Sequence, residues 1–593
     1  MNKSNRPVSQ PNLSNDTARL RWALLAALLM AIITSIPQIH LWYIRGSEWN
    51  GSCAYMDTDE LEYAAYTNAL KDGRPRRSNP YTGNDQSGAE SYFSLQFFPA
   101  YVVAFAARLL NLRIDTAYII LLPLATIATV LVVWWFLLEL TAKPLLAIVG
   151  AICVISLGTA AAHSPLQVFE SFGTGYDPFP FLRRYSPAVP FPIFLLSSLF
   201  IWRALTRKLA WGVLSGVGFI ILVYSYFFLW SALAAWFFTI LVLWFIARPS
   251  DRVKTLKLSG LLIVFGAIGL TPYLWSVMHR PKSMDRGQIL ELTHAPDLFR
   301  GPEIYGAIII CLLLYHFRAR VREWADPRVL FTASFALAPF IVFNQQTITG
   351  RSLQPFHYEE FTANYWVVIA AFIALGMKRY ISKRVIIYLA SGGIGVAVLL
   401  GVLNSRIMES SNVRLDQVRE VGLKLDQENS SGVVFASDRY LTHSISVYSR
   451  MPVLWARYLY LFSNIDFTEQ KQRYYQHLYY SEVDPTHYVN MLREDFTTRL
   501  AVFGAERANP VLTANHHPIT DADVANAALE YEQFTKSFDS TFAFTPLLSY
   551  AVVSPDDKLS NIDKWYERDA GEKFGEFVIY RLKPRVPQLG AAF

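Results

Sequence analysis

Residues 116–162 read TAYIILLPLATIATVLVVWWFLLELTAKPLLAIVGAICVISLGTAAA, two long apolar runs joined by a short polar segment around Glu139 and Lys143. A helix needs about 20 consecutive apolar residues to cross the hydrocarbon core of a bilayer. The two runs, 116–138 and 144–162, are of about this length. The stretch therefore predicts a pair of membrane-spanning helices, and with it an α-helical membrane protein.

Similar runs recur on both sides of this pair. Hydrophobic residues make up 53% of the 593 residues and only 17% are charged, whereas a soluble domain carries roughly 25% charged residues. The three cysteines are too few for a disulfide framework or a thiolate metal site. We therefore predict a polytopic helical protein with about 11 crossings, at residues 22–44, 116–138, 144–162, 188–206, 209–227, 229–247, 257–278, 303–317, 328–343, 362–378 and 385–403.

The basic residues between the runs predict the orientation. Four short connections hold clusters of Lys and Arg, and all four fall on the side of the basic N-terminal tail, residues 1–21. Because positive loops stay inside, that side is expected to be cytoplasmic, and the net charge of +7 is a topology signal that implies no nucleic-acid partner. The clusters are Arg203, Arg207 and Lys208; Arg248, Arg252, Lys254 and Lys257; Arg318, Arg320, Arg322 and Arg328; and Lys378, Arg379, Lys383 and Arg384.

The first apolar run lacks a small-residue cleavage site, so we interpret it as a retained signal anchor. Residues 92–112 are also apolar, but a crossing there would put every basic cluster outside. We therefore expect an amphipathic helix on the outer surface, with Arg108 and Arg113 at its polar end. The prediction is a multi-pass protein of a bacterial inner or plasma membrane.

Three regions follow from this topology. Residues 1–21 form the cytoplasmic tail, and residues 22–403 form the transmembrane domain, whose first outer loop is 45–115. Residues 404–593 form a C-terminal domain outside the membrane, with predicted helices and the strand-like runs 433–437 and 577–582. Further outer loops are expected at 163–187, 279–302 and 344–361.

The acidic cluster Asp57, Asp59, Glu60 and Glu62 in the first outer loop allows two interpretations. Asp57 could cap a helix, with Glu60 closing a capping box. The cluster could also carry chemistry, because a helix starting there places Asp59 and Tyr63 on one face, one turn apart.

The sequence Asp59-Glu60-x-x-Tyr63-x-Ala65, followed by Gly73 and Asn79-Pro80-Tyr81, resembles the first-loop acidic motif of the GT-C superfamily. In its first loop the chain resembles the protein O-mannosyltransferases and the catalytic subunit of oligosaccharyltransferases. The resemblance implies a GT-C-like transmembrane domain that transfers a sugar from a polyprenyl-phosphate donor on the outer face of the membrane. The implied partners are that donor, membrane lipids, and a glycan, lipid or protein acceptor.

Such a transfer requires a base to take a proton from the acceptor. We assign Asp59 to this role, in which a positioned carboxylate contributes roughly 10²–10⁴-fold. Asp57 or Glu60 would orient the acceptor or the base. No cofactor is required; a divalent cation (Mg²⁺ or Mn²⁺) is compatible with several carboxylates, although the spacing does not demand one.

The donor phosphate needs cationic and hydrogen-bonding partners. In the second outer loop the candidates are Arg183 and Arg184, which could equally reach toward lipid headgroups. In the fourth loop they are Arg351, His357 and Tyr358, a set that could instead cap helix ends. Tyr63 completes the predicted substrate-binding set. Glu170 and Asp177 are weaker carboxylate candidates.

Two competing functions remain open. A transporter or flippase of lipid-linked sugars usually shows repeated halves and charges near the bilayer midplane. This chain has no matching halves, and its ionisable residues gather outside the runs. A non-catalytic assembly subunit is the second alternative, and it predicts no requirement for the first-loop carboxylates.

Overall fold

The computed structural model describes residues 13–85, 89–162, 179–281, 290–318, 321–428, 432–457, 459–462, 465–508 and 518–585. The candidates Glu170 and Asp177 lie outside this part of the chain. Within it, helices dominate up to residue 427, and a mixed helix and strand region follows.

Long apolar helices form the bundle predicted from the sequence. Each of the eleven apolar runs coincides with a helix or, for the first run, with two consecutive helices bent by 46° at Ser35. The helices are Leu13–Thr34 with Ile36–Arg45, Ile114–Thr141, Pro144–Ala161, Phe191–Thr206, Trp211–Val223, Phe227–Ala247, Arg252–Met278, Gly301–Phe317, Pro327–Asn344, Asn364–Met377 and Lys383–Ile407.

The expected count of 11 crossings is not confirmed by helix length. In the described part of the chain, seven helices are long and apolar enough to cross a membrane, or eight if the bent pair is one span. Three helices that coincide with predicted runs are shorter, with 16, 13 and 17 residues: Phe191–Thr206, Trp211–Val223 and Gly301–Phe317. Asn364–Met377 has 14 residues, but together with the helical turns that precede it from Phe356 it forms a span of 22 residues.

The segment interpreted as a surface helix forms Phe98–Leu109, preceded by the short helix Tyr92–Leu95. Twelve residues rise about 18 Å, well short of a hydrocarbon core of about 30 Å. One face packs on the first-loop helix Glu60–Lys71, and Arg108 Nε donates to the carbonyl of Lys71 at 2.7 Å. This geometry agrees with a helix that does not cross.

The basic connections lie together at one end of the bundle. Lys254 Nζ donates to the carbonyl of Leu205 at 2.7 Å, and Arg248 Nη1 donates to that of Ala325 at 2.8 Å. These contacts bring three of the basic connections, around residues 205, 251 and 325, next to one another. The first loop (described residues 45–85 and 89–115) and the C-terminal domain lie at the other end, which we call the loop side.

The C-terminal region contains an α/β fold. Strand Val433–Ala436 pairs in parallel with Leu548–Val553, which pairs antiparallel with Phe577–Pro584; Tyr566–Arg568 and Glu572–Phe574 also pair with that last strand. The helices around this sheet are Glu409–Gln427, Arg439–Tyr448, Phe467–Tyr480, Pro485–Glu494, Phe496–Phe503, Ala505–Ala508, Asp521–Lys536, Ser540–Ala543 and Ser560–Asp563.

Buried polar contacts join this domain to the first loop and the helix ends beside it. The carboxylate of Asp416, which is fully buried, accepts hydrogen bonds from Arg45 Nε at 2.9 Å and Ser52 Oγ at 2.8 Å. Arg419 Nε donates to Asp115 Oδ2 at 2.9 Å. These contacts hold the C-terminal domain against the loop that carries the acidic motif.

Candidate active site

A cavity of about 450 Å³ lies on the loop side, where the first loop, the bundle and the C-terminal domain meet. Its walls combine charged side chains with many aromatic rings. The lining residues are Asp57, Thr58, Asp59, Glu62, Tyr63, Tyr92, Phe93, Gln96, Arg183, Tyr185, Ser186, Tyr226, Phe228, Gln354, Phe356, His357, Glu360, Arg457, Leu461, Phe496, Leu500 and Ala505.

The acidic wall comes from the turn before the helix Glu60–Lys71. Asp59 is the residue before the helix, and its amide donates to Asp57 Oδ1 at 2.5 Å. The first interpretation, in which Asp57 caps the helix and Glu60 closes a capping box, requires a helix that begins directly after Asp57. The helix begins at Glu60 instead, so this capping box is not formed. The turn instead leaves Asp57 and Asp59 both facing the cavity.

Arg183 is the cation opposite this wall. Its guanidinium lies 3.8 Å from Asp57 Oδ2 and donates to the Tyr226 hydroxyl at 3.0 Å. It also stacks over the Tyr63 ring, with 5.3 Å from Cζ to the ring centroid. The residue is only 8% exposed, so its charge acts on the cavity with little screening by water.

His357 approaches the same cavity from the fourth loop, residues 344–361. Its ring lies edge-on to Phe228, with centroids 4.5 Å apart, and Nδ1 has no hydrogen-bond partner among the described residues. The π-helical segment Glu359–Ala363 follows directly. A π-helical turn of this kind is frequent at functional sites.

Glu60 and Arg184, two residues of the predicted site, lie behind the cavity wall. The Arg184 amide donates to Glu60 Oε1 at 2.7 Å, and its Nη1 donates to Oε2 at 2.8 Å. Glu60 is fully buried and Arg184 is 2% exposed. This buried ion pair fixes the acidic turn to the second loop, and neither side chain lines the cavity.

Tyr358 and Arg351 also lie away from the cavity lining. Tyr358 is buried, and its hydroxyl shares a hydrogen bond of 2.9 Å with Ser231 Oγ. Arg351 is exposed, next to the short strand Ser352–Leu353. Of the predicted residues, the structure brings together Asp57, Asp59, Tyr63, Arg183 and His357.

Sequence reasoning missed the residues that the C-terminal domain contributes. Arg457 lines the cavity with its guanidinium 5.0 Å from the Phe496 ring centroid, and its Nη1 lies 3.5 Å from Thr58 Oγ1. Nearly 400 residues separate Arg457 from Thr58 in the chain, so no local pattern could have connected them. Glu62 was visible in the acidic cluster, but only its place in the helix identifies it as a lining residue.

Across the described residues, no group of three or more His, Cys, Asp or Glu side chains is arranged to hold a metal ion. The cavity lining combines four acidic side chains, Asp57, Asp59, Glu62 and Glu360, with the guanidinium groups of Arg183 and Arg457. This arrangement can accept a proton and can hold an anionic group within one enclosed space.

No protein-family model and no curated protein matches this sequence. Solved structures with a similar architecture include ArnT from Cupriavidus metallidurans bound to undecaprenyl phosphate, at 11% identity over 93% of this chain and 97% of that chain, with a TM-score of 0.48.

Two further structures are similar to this chain at 12% identity. The archaeal oligosaccharyltransferase AglB from Archaeoglobus fulgidus, in complex with an inhibitory peptide and a dolichol-phosphate, covers 98% of this chain and 76% of its own, with a TM-score of 0.40. The arabinofuranosyltransferase AftD from Mycobacteria covers 95% of this chain and 40% of its own, with a TM-score of 0.46. At these identities and TM-scores, the likenesses assign no function to this chain.

Proposed function

We propose that this chain is a membrane glycosyltransferase that moves a sugar from a polyprenyl-phosphate-linked donor to an acceptor on the outer face of the membrane. The observation that carries the proposal is the cavity on the loop side, in which Asp57 and Asp59 face the buried Arg183. A proton acceptor and an anion-binding group are the two functions that this transfer needs.

In the proposed mechanism an oxygen or nitrogen atom of the acceptor attacks the sugar carbon that is bonded to phosphate. Asp59 takes the proton that this acceptor atom loses, and the bond from the carbon to the phosphate oxygen breaks. Asp57 is held by the Asp59 amide on one side and lies 3.8 Å from Arg183 on the other. Asp57 therefore orients both the base and the cation. Glu60 acts from behind the wall, where its pair with Arg184 fixes this turn.

The phosphate that leaves with the lipid is bound in this proposal by Arg183, with the Tyr226 hydroxyl and His357 on the same side of the cavity. Charge-assisted hydrogen bonds from a guanidinium stabilise the negative charge that grows on the leaving oxygen. Arg351 is given no role in the proposed mechanism, because it is exposed and does not line the cavity.

Replacing Asp59 tests the proposal. Asp59→Asn keeps the shape of the side chain but removes its basicity, so transfer should fall by roughly 10²–10⁴-fold. The measurement is incorporation of labelled sugar into membrane acceptors from a panel of polyprenyl-phosphate-linked monosaccharides, with the purified chain in liposomes. Asp85→Asn is the matched control, because Asp85 lies in the same loop and pairs with Arg74 at 2.7 Å, outside the cavity lining.

Near-normal transfer by Asp59→Asn would contradict the assignment of the base. A wild-type chain that moves lipid-linked sugars across liposomes without forming a glycosidic bond would favour a flippase. If Asp57→Asn and Asp59→Asn variants both support the function of the protein in cells as the wild type does, that result would favour a non-catalytic assembly subunit.

A further inference from the structure

Glu62 is a buried carboxyl group of the cavity to which the proposed mechanism gives no role. It lies in the first turn of the helix Glu60–Lys71, three residues after Asp59, and it lines the same cavity. The residue is 3% exposed, and its Oε2 has no hydrogen-bond partner among the described residues. Since buried polar atoms are almost always hydrogen-bonded, this oxygen points to a partner that enters the cavity.

Charged and titratable groups face Glu62 from its own turn and from the C-terminal domain. Burial, and after it the negative charge of Asp59, raises the pKa of the Glu62 carboxyl well above its ordinary range, while Arg457 opposes this by less. Burial therefore favours the neutral form of the Glu62 carboxyl, which can donate a hydrogen bond. The facing groups are Asp57, Asp59, Tyr63, Tyr81 and Arg457.

We propose that Glu62 is a substrate-binding residue whose unpartnered carboxyl oxygen forms a hydrogen bond to an oxygen atom of a sugar. That sugar is either the one transferred or part of the acceptor. The inference rests on the proposed function, since it takes the substrate to carry a sugar. Because Glu62 follows Asp59 by one helical turn, the bound oxygen lies close to the reacting group.

A sugar suits this position better than a phosphate does. Beside Glu62 a phosphate would meet the carboxylates of Asp57 and Asp59 and only one guanidinium, that of Arg457. Arg183, with the Tyr226 hydroxyl next to it, offers a second guanidinium in the same cavity. The surrounding wall is aromatic, and such walls cover the apolar face of a ligand while a few polar groups fix its orientation. The rings are those of Tyr63, Tyr92, Phe93 and Phe496.

Two variants of the full-length protein separate a donated hydrogen bond from other roles. Glu62→Gln keeps a donor at this position, whereas Glu62→Leu fills similar volume without one. Binding is measured in nanodiscs with undecaprenyl phosphate and with undecaprenyl phosphates that carry mannose, glucose or arabinose. Transfer assays give the KM of the acceptor, and infrared spectra record the carbonyl stretch of the protonated carboxyl group.

We expect Glu62→Gln to stay within about threefold of the wild type and Glu62→Leu to lose about tenfold, the size of one neutral hydrogen bond. Undecaprenyl phosphate itself should bind all three proteins alike. A loss in donor binding identifies the transferred sugar as the partner, and a loss confined to the acceptor KM identifies the acceptor. The infrared band should be absent in Glu62→Gln and should shift when the sugar-bearing lipid binds.

Wild-type behaviour of Glu62→Leu in a chain that does transfer sugar would overturn this inference and leave the proposed function intact. Equal losses in Glu62→Gln and Glu62→Leu would also overturn it, because they indicate an ionised carboxylate. A wild-type chain that neither transfers sugar nor distinguishes sugar-bearing lipids from undecaprenyl phosphate would overturn both.

Discussion

Arg183 and Arg203 provide a comparison between two arginines in similar surroundings. Each is 8% exposed, and each guanidinium lies near an acidic partner and over aromatic rings. Arg183 lines the cavity, whereas Arg203 pairs with Glu139 at the opposite end of the bundle. Burial, an acidic partner and aromatic rings therefore do not distinguish the two arginines. The proposed phosphate-binding role of Arg183 depends on its position in the cavity lining.

Arg183→Ala should weaken binding of undecaprenyl phosphate by roughly 10–150-fold, because a hydrogen bond to a charged group contributes about 1.5–3 kcal/mol. Arg183→Lys should recover part of this loss, since a point charge replaces a planar fork. Arg203→Ala is the matched control and should bind the lipid phosphate as the wild type does. Equal losses in Arg183→Ala and Arg203→Ala, in a binding titration on purified protein, would indicate general destabilisation.

The candidate site could be predicted from the sequence where a local pattern carries the signal. Asp59 and Tyr63 follow from helical spacing in a short acidic motif, and both line the cavity. The sequence could not show that the side chains of Glu60 and Arg184 lie outside the cavity while those of their neighbours line it. They are adjacent to lining residues in the sequence, and only the tertiary pairing across 124 residues turns their side chains toward each other.

At the scale of elements, apolar runs predict helices well and their breaks poorly. The runs 209–227 and 229–247 are almost continuous, yet one helix ends at Val223 and the next begins at Phe227. In the break, the Tyr224 carbonyl accepts a hydrogen bond from the Phe98 amide at 3.0 Å, and Tyr226 enters the cavity. Hydropathy averaged over about 19 residues does not reveal such a break, because Tyr224, Ser225 and Tyr226 are only three residues between two strongly apolar runs.

The helix Phe467–Tyr480 carries a buried histidine that should make stability depend on pH. Burial lowers the pKa of His477 to about 4. Histidine in the unfolded chain binds a proton as the pH falls through about 6.5, whereas His477 in the folded chain does so only near pH 4. Above pH 6.5 this histidine therefore does not reduce the free energy of unfolding. That free energy should decline as the pH falls from 6.5 toward 4, by at most about 1.4 kcal/mol per pH unit.

His477→Phe should remove this part of the acid sensitivity, as measured by thermal unfolding of the full chain in detergent at several pH values. His487→Phe, at an exposed position on the helix Pro485–Glu494, should leave the pH dependence unchanged. His443 is half-buried and its pKa is lowered to about 3 by desolvation, so some dependence should remain in His477→Phe. The same slope in His477→Phe and in the wild type would contradict the argument.

For the whole molecule, the predicted orientation is open to direct measurement. Reporter fusions after residues 75, 295 and 420 should report an outside location, and a fusion after residue 325 an inside one, because the basic connections stay inside. A fusion after residue 114 is the sharpest case, since the helix Phe98–Leu109 rises only about 18 Å and packs on the helix Glu60–Lys71 of the same loop. An inside result there would reverse the orientation of every later loop.

The ion pair between Asp115 and Arg419 has a consequence for biosynthesis. Its partners are 304 residues apart, so ribosomes that add roughly 5–20 residues per second need about 15–60 s to supply the second after the first. During that interval Asp115, which is 1% exposed in the folded protein, lacks the guanidinium that the C-terminal domain provides. We therefore expect the first loop to reach its final packing only after the helix Glu409–Gln427 has been made.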